Sequence, residues 1–309
     1  MKLLLYILVS FFLAVLLFVV AIPLFKKKKI TQFIREEGPE THKIKKGTPT
    51  AGGIIFLIIP ALFLPFHHSK TFLFLYLSLL LNGLVGLIDD FRSKRKKESL
   101  GLSGREKIIL QIIVAIFLFI FGKNLISTTT HFGTLSIQLD NVSYFILYLL
   151  VMVGAVNAFN FTDGIDGLLG SVSIPIFLTF IFIGGIATRT VSSVTIGMLL
   201  AFLWFNSPKA SIFMGDTGSL ALGGLFGAMG IVNHCEFLLP IIGIIPVIET
   251  LSIIIQVSYF KFSHGKRIFK MAPIHHHFEK NGWSESKIDF RFFVITVIFS
   301  VFTLIILWR

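Results

Sequence analysis

Long apolar runs separated by short polar stretches dominate the chain. The first run, Leu3 to Phe25, is too long for the apolar region of a signal peptide and lacks a small-residue cleavage site before Lys26, so we expect a retained span. Nine further runs predict nine more spans. The ten predicted spans are 3–25, 51–66, 71–88, 106–122, 142–160, 168–187, 190–206, 218–234, 237–260 and 291–308. The expected fold is an all-α integral membrane protein, with residues 1–309 as one polytopic domain.

One polar stretch has a different pattern. Residues Thr128 to Asn141 alternate between apolar and polar positions around a glycine, in the order TTTHFGTLSIQLDN. Alternation of period two with a central turn residue is typical of a β-hairpin. We therefore expect a small exposed hairpin near 128–141, on the outer side of the membrane.

The composition supports a membrane protein and excludes other classes. Of the 309 residues, 54% are hydrophobic and only 14% are charged, with a mean hydropathy of +0.86. A soluble protein of this size carries about 25% charged residues. The composition excludes an ordinary soluble domain, a disordered chain and a small disulfide scaffold. The single Cys235 cannot form a bridge within the chain and leaves the redox compartment open.

The basic residues predict the orientation. Among the loops between the ten predicted spans, the first, third, seventh and ninth contain 23 of the 28 Lys and Arg residues. Lys and Arg are enriched in cytoplasmic loops, so both termini are expected outside and these loops inside. The excess of Lys and Arg in these cytoplasmic loops also explains the net charge of +12. No RNA- or DNA-binding module is visible, so we expect no nucleic-acid partner.

Acidic residues gather on the same predicted side. Asp89, Asp90, Asp163, Asp166 and Asp216 all fall at the inner ends of four predicted spans. Charges near membrane depth cost roughly 2.5–3.5 kcal/mol each at a span centre, and the positive-inside rule does not require acids. Their placement predicts a cytoplasmic functional site.

The third span ends in LIDD. Neighbouring helical side chains point about 100° apart, so Asp89 and Asp90 are expected to have different partners. One carboxylate would bind a metal while the other pairs with Lys or handles a proton. The alternative is a helix end balanced by nearby Lys residues.

Two further motifs surround Asp residues with glycine. In NFTDGIDG, a continuing helix would place Asn160, Asp163 and Asp166 on one broad face; the alternative is a polar connection between spans. In FMGDTGSL, small residues around Asp216 would leave backbone N–H groups open to a phosphate, and the carboxylate would hold Mg²⁺. The alternative for Asp216 is a simple helix cap.

The first and ninth loops contain candidate anion contacts. Three consecutive imidazoles in a helix cannot all face one metal, so for PIHHHFE we favour a phosphate- or sugar-binding role over a zinc site. Solvated loop histidines are the alternative. In HKIKKGTPT, the lysines suit either a bound anion or lipid headgroups.

Glu249, deep in a predicted span, is expected to face the bundle. Together these features are typical of metal-assisted phosphoryl transfer.

Five motifs stand in order along nearly the whole chain: GTPTAGG, LIDD, NFTDGIDG, WFN followed by FMGDTGSLALGG, and APIHHHFEKNGWSE. Together they resemble the polyprenyl-phosphate N-acetylhexosamine-1-phosphate transferase superfamily. The histidine loop resembles the branch of that superfamily that transfers phospho-MurNAc-pentapeptide.

This resemblance implies a fold and an activity. It implies ten helices in the bacterial cytoplasmic (inner) membrane, an active site facing the cytoplasm, Mg²⁺ as cofactor and a homodimer. The implied reaction transfers phospho-MurNAc-pentapeptide from UDP-MurNAc-pentapeptide to undecaprenyl phosphate, giving lipid I and UMP. That reaction is the first membrane step of peptidoglycan synthesis.

The resemblance also implies residue roles. Asp89 and Asp90 are the adjacent catalytic aspartates, with Asp89 as the base, and Asp216 is the Mg²⁺ ligand. His276 is the histidine expected to contact the substrate during catalysis. The implied substrate-binding residues are Lys45, Thr50, Asn160, Asp163, Asp166, Asn206, Ser219, Gln256, His275 and His277.

Two other functions remain open at this stage. A GlcNAc-1-phosphate transferase for teichoic acid or O-antigen shares the Asp motifs but has a different histidine loop. A secondary transporter would place ionisable groups near the midplane and often contains internal repeats. The sequence shows no clear repeat, and its acids fall on one side.

Overall fold

A computed structural model describes residues 1–28, 47–96 and 101–308, and these residues are mostly helical. The helices are α1 (Lys2–Lys27), α2 (Gly53–Ala61), α3 (Lys70–Lys96), α4 (Gly104–Phe121), α5 (Asn141–Thr162), α6 (Leu168–Ile183), α7 (Ile186–Asn206), α8 (Gly215–Val232), α9 (Leu239–Ile242), α10 (Ile244–Phe262), α11 (Ile274–Glu279) and α12 (Glu285–Leu307). The two strands are β1 (Thr129–Phe132) and β2 (Leu135–Gln138).

Within the described part of the chain, six helices are long and apolar enough to cross a membrane: α1, α3, α5, α7, α10 and α12. This is the character of a multi-pass membrane protein. Each of the ten predicted spans overlaps at least one helix. The apolar stretch 168–206 forms two helices, as predicted, but it divides at Gly184 and Gly185, not between 187 and 190.

Two further predicted spans are not continuous helices. The span 51–66 contains only the nine-residue α2, followed by a 3₁₀ turn at Leu64–Phe66. The span 237–260 is broken at Gly243, between α9 and α10. Proline is favoured in the first turn of a helix, where its missing N–H would have no partner within the helix in any case. Pro240 and Pro246 each lie in a first turn, so this stretch forms two helices instead of one.

Helix α8 lies at the centre of the bundle, buried on nearly all sides. Its glycines, and those of α3, let helix backbones approach closely, as small residues do in membrane bundles. A Cβ on Gly86 of α3 would lie 2.1 Å from the carbonyl oxygen of Asp216. A Cβ on Gly223 would lie 2.6 Å from the carbonyl oxygen of Ala155 in α5. The first contact places the end of α3 beside the start of α8, and the second packs the middle of α8 against α5.

The predicted hairpin is confirmed. Strands β1 and β2 pair antiparallel, with Thr129 opposite Gln138 and a turn at Gly133, whose φ is +61°. The hydroxyl of Thr130 donates to the buried carboxylate of Glu236, just beyond the last residue of α8. Because α8 has 18 residues, each rising about 1.5 Å, the hairpin lies roughly 27 Å from the Asp216 end of the bundle.

Candidate active site

Three aspartates meet at one end of the bundle. Asp89 and Asp90 lie near the end of α3, and Asp216 is the second residue of α8. Each offers a carboxylate oxygen, and these oxygens lie within 4.8 Å of one another. A set of oxygen donors suits a hard divalent cation. Among the described residues this is the one such group of three or more potential ligands.

Asp90 holds the first turn of α8. Its carboxylate accepts the backbone N–H groups of Asp216 at 3.1 Å and Thr217 at 3.0 Å, and the Thr217 hydroxyl at 2.6 Å. These N–H groups were predicted to be open to a phosphate; that prediction is wrong, because a side chain from α3 already occupies them. Gly215 has a φ of +69°, and a Cβ there would lie 2.7 Å from Asp90 Oδ2 and 2.5 Å from the Thr50 carbonyl oxygen.

Asp89 has a different set of partners from Asp90, as the helical geometry predicted. Its Oδ1 accepts the N–H of Leu102 at 2.6 Å, and its Oδ2 lies 3.2 Å from Lys107 Nζ. The same ammonium lies 2.5 Å from Oδ2 of Asp216. Lys107 therefore bridges two carboxylates of the triad, and its position shows that the triad attracts a cation. The three acids fit a divalent metal ion on this evidence.

Lys107 was not among the predicted site residues. A local signal was present: Ser103 and Glu106 form a capping box that defines the start of α4 and puts Lys107 near its N-terminus. A cation there opposes the helix dipole and is unfavourable unless another group compensates it. The compensating group is the acidic cluster, which comes from distant parts of the chain.

Asn160 orients the Asp216 carboxylate through Oδ1, the oxygen that Lys107 does not contact. Its amide Nδ2 donates to Asp216 Oδ1 at 3.1 Å and to the Ser219 hydroxyl at 2.9 Å. The Ser219 hydroxyl in turn donates to the carbonyl of Gly215 at 3.2 Å. Both oxygens of Asp216 thus have partners, Asn160 on one and Lys107 on the other, which leaves further lone pairs for a metal ion.

The NFTDGIDG segment does not continue as a helix. α5 ends at Thr162, and a turn over 163–167 follows in which Gly167 has a φ of +84°. The single helical face that a continuing helix would give Asn160, Asp163 and Asp166 is therefore wrong, and the alternative, a polar connection between helices, is observed. Burial, with the negative charges of Asp216 and Asp166, raises the pKa of Asp163 to about 7. Asp166 is buried and accepts the N–H of Ala210 at 3.0 Å.

Asn206 and Gln256 bind loop backbone. Asn206 accepts the N–H of Gly167 at 2.9 Å and donates to the Ile212 carbonyl at 2.8 Å, joining the 163–167 turn to the segment before α8. Gln256 accepts the N–H of Phe269 at 2.9 Å and donates to the carbonyl of the same residue at 3.1 Å. Both side chains position the loops around the site.

The three histidines begin at the second residue of α11, and each has a different partner. His275 is fully buried, with Nδ1 at 3.1 Å from Oε1 of Glu249. His276 Nδ1 lies 2.6 Å from Glu279 Oε2. His277 Nδ1 accepts the backbone N–H of Lys270 at 3.1 Å. As expected, the imidazoles do not converge on one metal.

Two other predictions have clear outcomes. Glu249 faces the bundle interior, as predicted, and the structure identifies its partner as His275. Lys45, with the neighbouring lysines of its motif, lies outside the described residues. Thr50 lies beside Gly215, at the edge of the aspartate triad.

Comparison with known proteins identifies the class of transferase. A family model described as glycosyl transferase family 4 matches residues 72–234, which include the aspartate triad and Lys107. Three relatives carry the name phospho-N-acetylmuramoyl-pentapeptide-transferase. They are a Thermoanaerobacter sp. (strain X514) protein, 42% identical over 90% of each chain; a Halalkalibacterium halodurans protein, 41% identical over 97% of this chain and 95% of its own; and a Thermotoga maritima protein, 43% identical over 96% and 94%.

The chain therefore belongs to glycosyl transferase family 4 and, within it, to the family of the phospho-N-acetylmuramoyl-pentapeptide transferases. The resemblance that the five motifs indicated is confirmed. The relatives align over nearly the whole chain, so their similarity extends beyond the segment that the family model matches.

Proposed function

We propose that this protein transfers phospho-MurNAc-pentapeptide from UDP-MurNAc-pentapeptide to undecaprenyl phosphate, giving lipid I and UMP. The observation that carries the proposal is the aspartate triad bridged by Lys107, at one end of an apolar helical bundle. Relatives that share about two-fifths of the sequence are named for this transfer. The acids gather at one end of the bundle, which favours surface chemistry over transport through the midplane.

Mg²⁺ is the proposed cofactor, with Asp216 as its principal ligand and Asp89 and Asp90 beside it. A divalent cation bound there would neutralise charge on the diphosphate of the donor. Mg²⁺ keeps few protein ligands and prefers phosphate oxygens, which suits a site that offers three carboxylates and open space for substrate. Asn160 and Lys107 orient the Asp216 carboxylate for this role.

The proposed chemistry is direct displacement. An oxygen of the acceptor phosphate attacks the phosphorus that carries the sugar, the bond to the bridging oxygen breaks, and UMP leaves with that oxygen. A phosphate monoester has a second pKa near 6, so above that pH the acceptor is already mostly dianionic. Bringing two anions together is the main barrier, and the Lys107 ammonium lowers it. Asp89 accepts the remaining proton when the acceptor arrives protonated.

The histidine loop and the 163–167 turn are proposed to bind the donor. His276 is proposed as the imidazole that contacts it directly. Asp163, Asp166, Thr50 and Ser219 are proposed to surround the nucleotide and diphosphate.

The membrane arrangement is also a proposal. Residues 1–309 would form one domain with ten crossings, both termini outside and the site at the cytoplasmic face of the bacterial inner membrane. The distribution of Lys and Arg supports this orientation, since 23 of 28 fall in the loops proposed to be inside. The enzyme would act as a homodimer.

A reconstituted assay tests the activity. Detergent-purified protein is mixed with radiolabelled UDP-MurNAc-pentapeptide, undecaprenyl phosphate and Mg²⁺, and products are separated by chromatography. We expect labelled lipid I with equimolar UMP, and neither product with Asp216→Asn. A preference for UDP-GlcNAc would replace the proposal with a GlcNAc-1-phosphate transferase. No lipid-linked product from either donor would refute it.

A further inference from the structure

A buried contact between a carboxylate and an imidazole connects the histidine loop to the membrane bundle. Glu249 in α10 and His275 in α11 are both fully buried, and their Oε1 and Nδ1 atoms lie 3.1 Å apart without hydrogen-bond geometry. The backbone N–H of His275 donates to Glu249 Oε2 at 3.5 Å. A buried carboxylate without a partner is strongly destabilising, so each group requires the other. The contact therefore fixes α11 against α10 at one defined point.

The other edge of the same imidazole rests on the turn that follows α5. A Cβ built on Gly164 would lie 2.1 Å from His275 Nε2 and 2.5 Å from its Cε1. The ring thus fills the space in which a side chain at position 164 would otherwise lie. Its Nε2 is shielded from solvent and has no hydrogen-bond partner among the described residues. Nothing in this arrangement presents Nε2 to a ligand outside the protein interior.

The next two histidines differ in their surroundings. His276 is largely buried, with its side chain 12% exposed, and contacts Glu279 within its own short helix. His277 contacts the loop around it, through the Lys270 N–H and the Asn281 side chain. His275 touches both the bundle, at Glu249, and the turn that bears Asp163, at Gly164.

We propose that His275 is a positioning residue: with Nδ1 beside Glu249 and its ring packed on Gly164, its imidazole sets the histidine loop and the 163–167 turn relative to each other and does not itself bind the donor. This inference rests on the proposed function, in which both segments surround the donor. It changes the role expected for His275: the residue supports the segments that contact the substrate and does not contact the substrate itself. Glu249 becomes a second positioning residue.

Two substitutions of His275 distinguish the roles of its two ring nitrogens, Nδ1 and Nε2. The amide nitrogen of Asn occupies approximately the place of Nδ1, and that of Gln approximately the place of Nε2. His275→Asn keeps a donor for Glu249, and we expect the KM for UDP-MurNAc-pentapeptide to rise by no more than about threefold. His275→Gln loses the Glu249 contact, and we expect that KM to rise at least about tenfold, with the KM for undecaprenyl phosphate unchanged. The reverse ranking would show that Nε2 binds substrate and would overturn the proposal.

Gly164 provides a suppressor test. Gly164→Ala should push the imidazole from its place and raise the donor KM. In the Gly164→Ala, His275→Asn double variant the colliding Nε2 and Cε1 atoms are gone, so the donor KM should return towards that of His275→Asn alone. Additive defects in the double variant would contradict the proposed packing role.

Hydrogen–deuterium exchange tests the same contact without using activity. Glu249→Leu should speed amide exchange both in 274–279 and in 163–167, whereas Glu249→Gln, which retains an acceptor oxygen, should leave both segments protected. His277→Asn is the matched control: exchange should rise in the loop but stay unchanged in 163–167. Unchanged exchange in Glu249→Leu would overturn the proposal. Because exchange needs no substrate, a failure of the proposed activity would leave this result interpretable.

Discussion

Asp90 caps the first turn of α8 at Thr217, 127 residues further along the chain: the Asp90 carboxylate accepts the Thr217 N–H at 3.0 Å and the Thr217 hydroxyl at 2.6 Å. The first N–H groups of a helix have no partner within that helix. Most helices satisfy them with a nearby side chain or water, but α8 uses a residue at the end of α3. This contact brings Asp216 beside Asp89 and so assembles the triad.

We expect Asp90→Ala to reduce both stability and turnover. The substitution leaves two N–H groups of α8 without their acceptor, at a cost of about 1–3 kcal/mol. The apparent Tm of the detergent-purified variant in EDTA, followed by intrinsic fluorescence, should fall below that of the wild type. Asp216→Asn serves as the control and should retain the wild-type Tm. Equal Tm values for Asp90→Ala and the wild type would refute a capping role.

The second prediction concerns the metal. EDTA should abolish turnover, and added Mg²⁺ or Mn²⁺ should restore it, because the three carboxylates supply oxygen donors for a hard cation. Asp216→Asn should lose at least about 100-fold in kcat while remaining folded, since the amide loses the charge that holds the ion. Full activity of this variant at ordinary Mg²⁺ concentration would remove Asp216 from the ligand set.

Lys107→Met should have opposite effects on metal affinity and rate. The ammonium offsets the charge of Asp89 and Asp216, so its removal should make the site more negative and lower the Mg²⁺ concentration for half-maximal activity. The kcat should nevertheless fall by about 10²–10³, because a preorganised cation next to the reacting phosphates is lost. Lys107→Arg, which keeps the charge, is the control. A Mg²⁺ requirement identical to that of the wild type would contradict this electrostatic coupling.

A polar pair one helical turn from the site should couple α4 to α5. Asn157 donates to Gln111 at 2.6 Å; Gln111 lies four residues after Lys107, and Asn157 three before Asn160. A double-mutant cycle with Asn157→Leu and Gln111→Leu should give a coupling of about 0.6–1.7 kcal/mol in thermal or chemical unfolding. Strictly additive effects would show that the pair does not couple the helices.

The proposed topology predicts one-sided labelling. In a background with Cys235→Ala, a cysteine at Lys2 should react with an impermeant maleimide added outside intact spheroplasts. A cysteine at Trp283 should react only after the membrane is opened. Reaction of both positions from the same side would exclude the ten-crossing arrangement.

Much of the secondary structure was predictable because its causes are local. In a membrane each span satisfies its own backbone hydrogen bonds, so an apolar run of sufficient length predicts a helix by itself. The Gly133 hairpin follows from alternation over fourteen residues. The break at Gly243 was missed because the apolar run continues through it; the positions of Pro240 and Pro246 were the available signal.

Short-range periodicity and residue type were sufficient to predict the helical membrane character, the hairpin, the grouping of acidic residues on one predicted side and the different partners of Asp89 and Asp90. The folded structure was needed to show that Lys107 bridges Asp89 and Asp216, that Asp90 occupies the N–H groups of α8, and that His275 is buried against Glu249. Those contacts join residues far apart in the chain. The Asp90 contact forms because glycines let α3 and α8 pack at backbone distance, a consequence of helix packing that local sequence patterns do not specify.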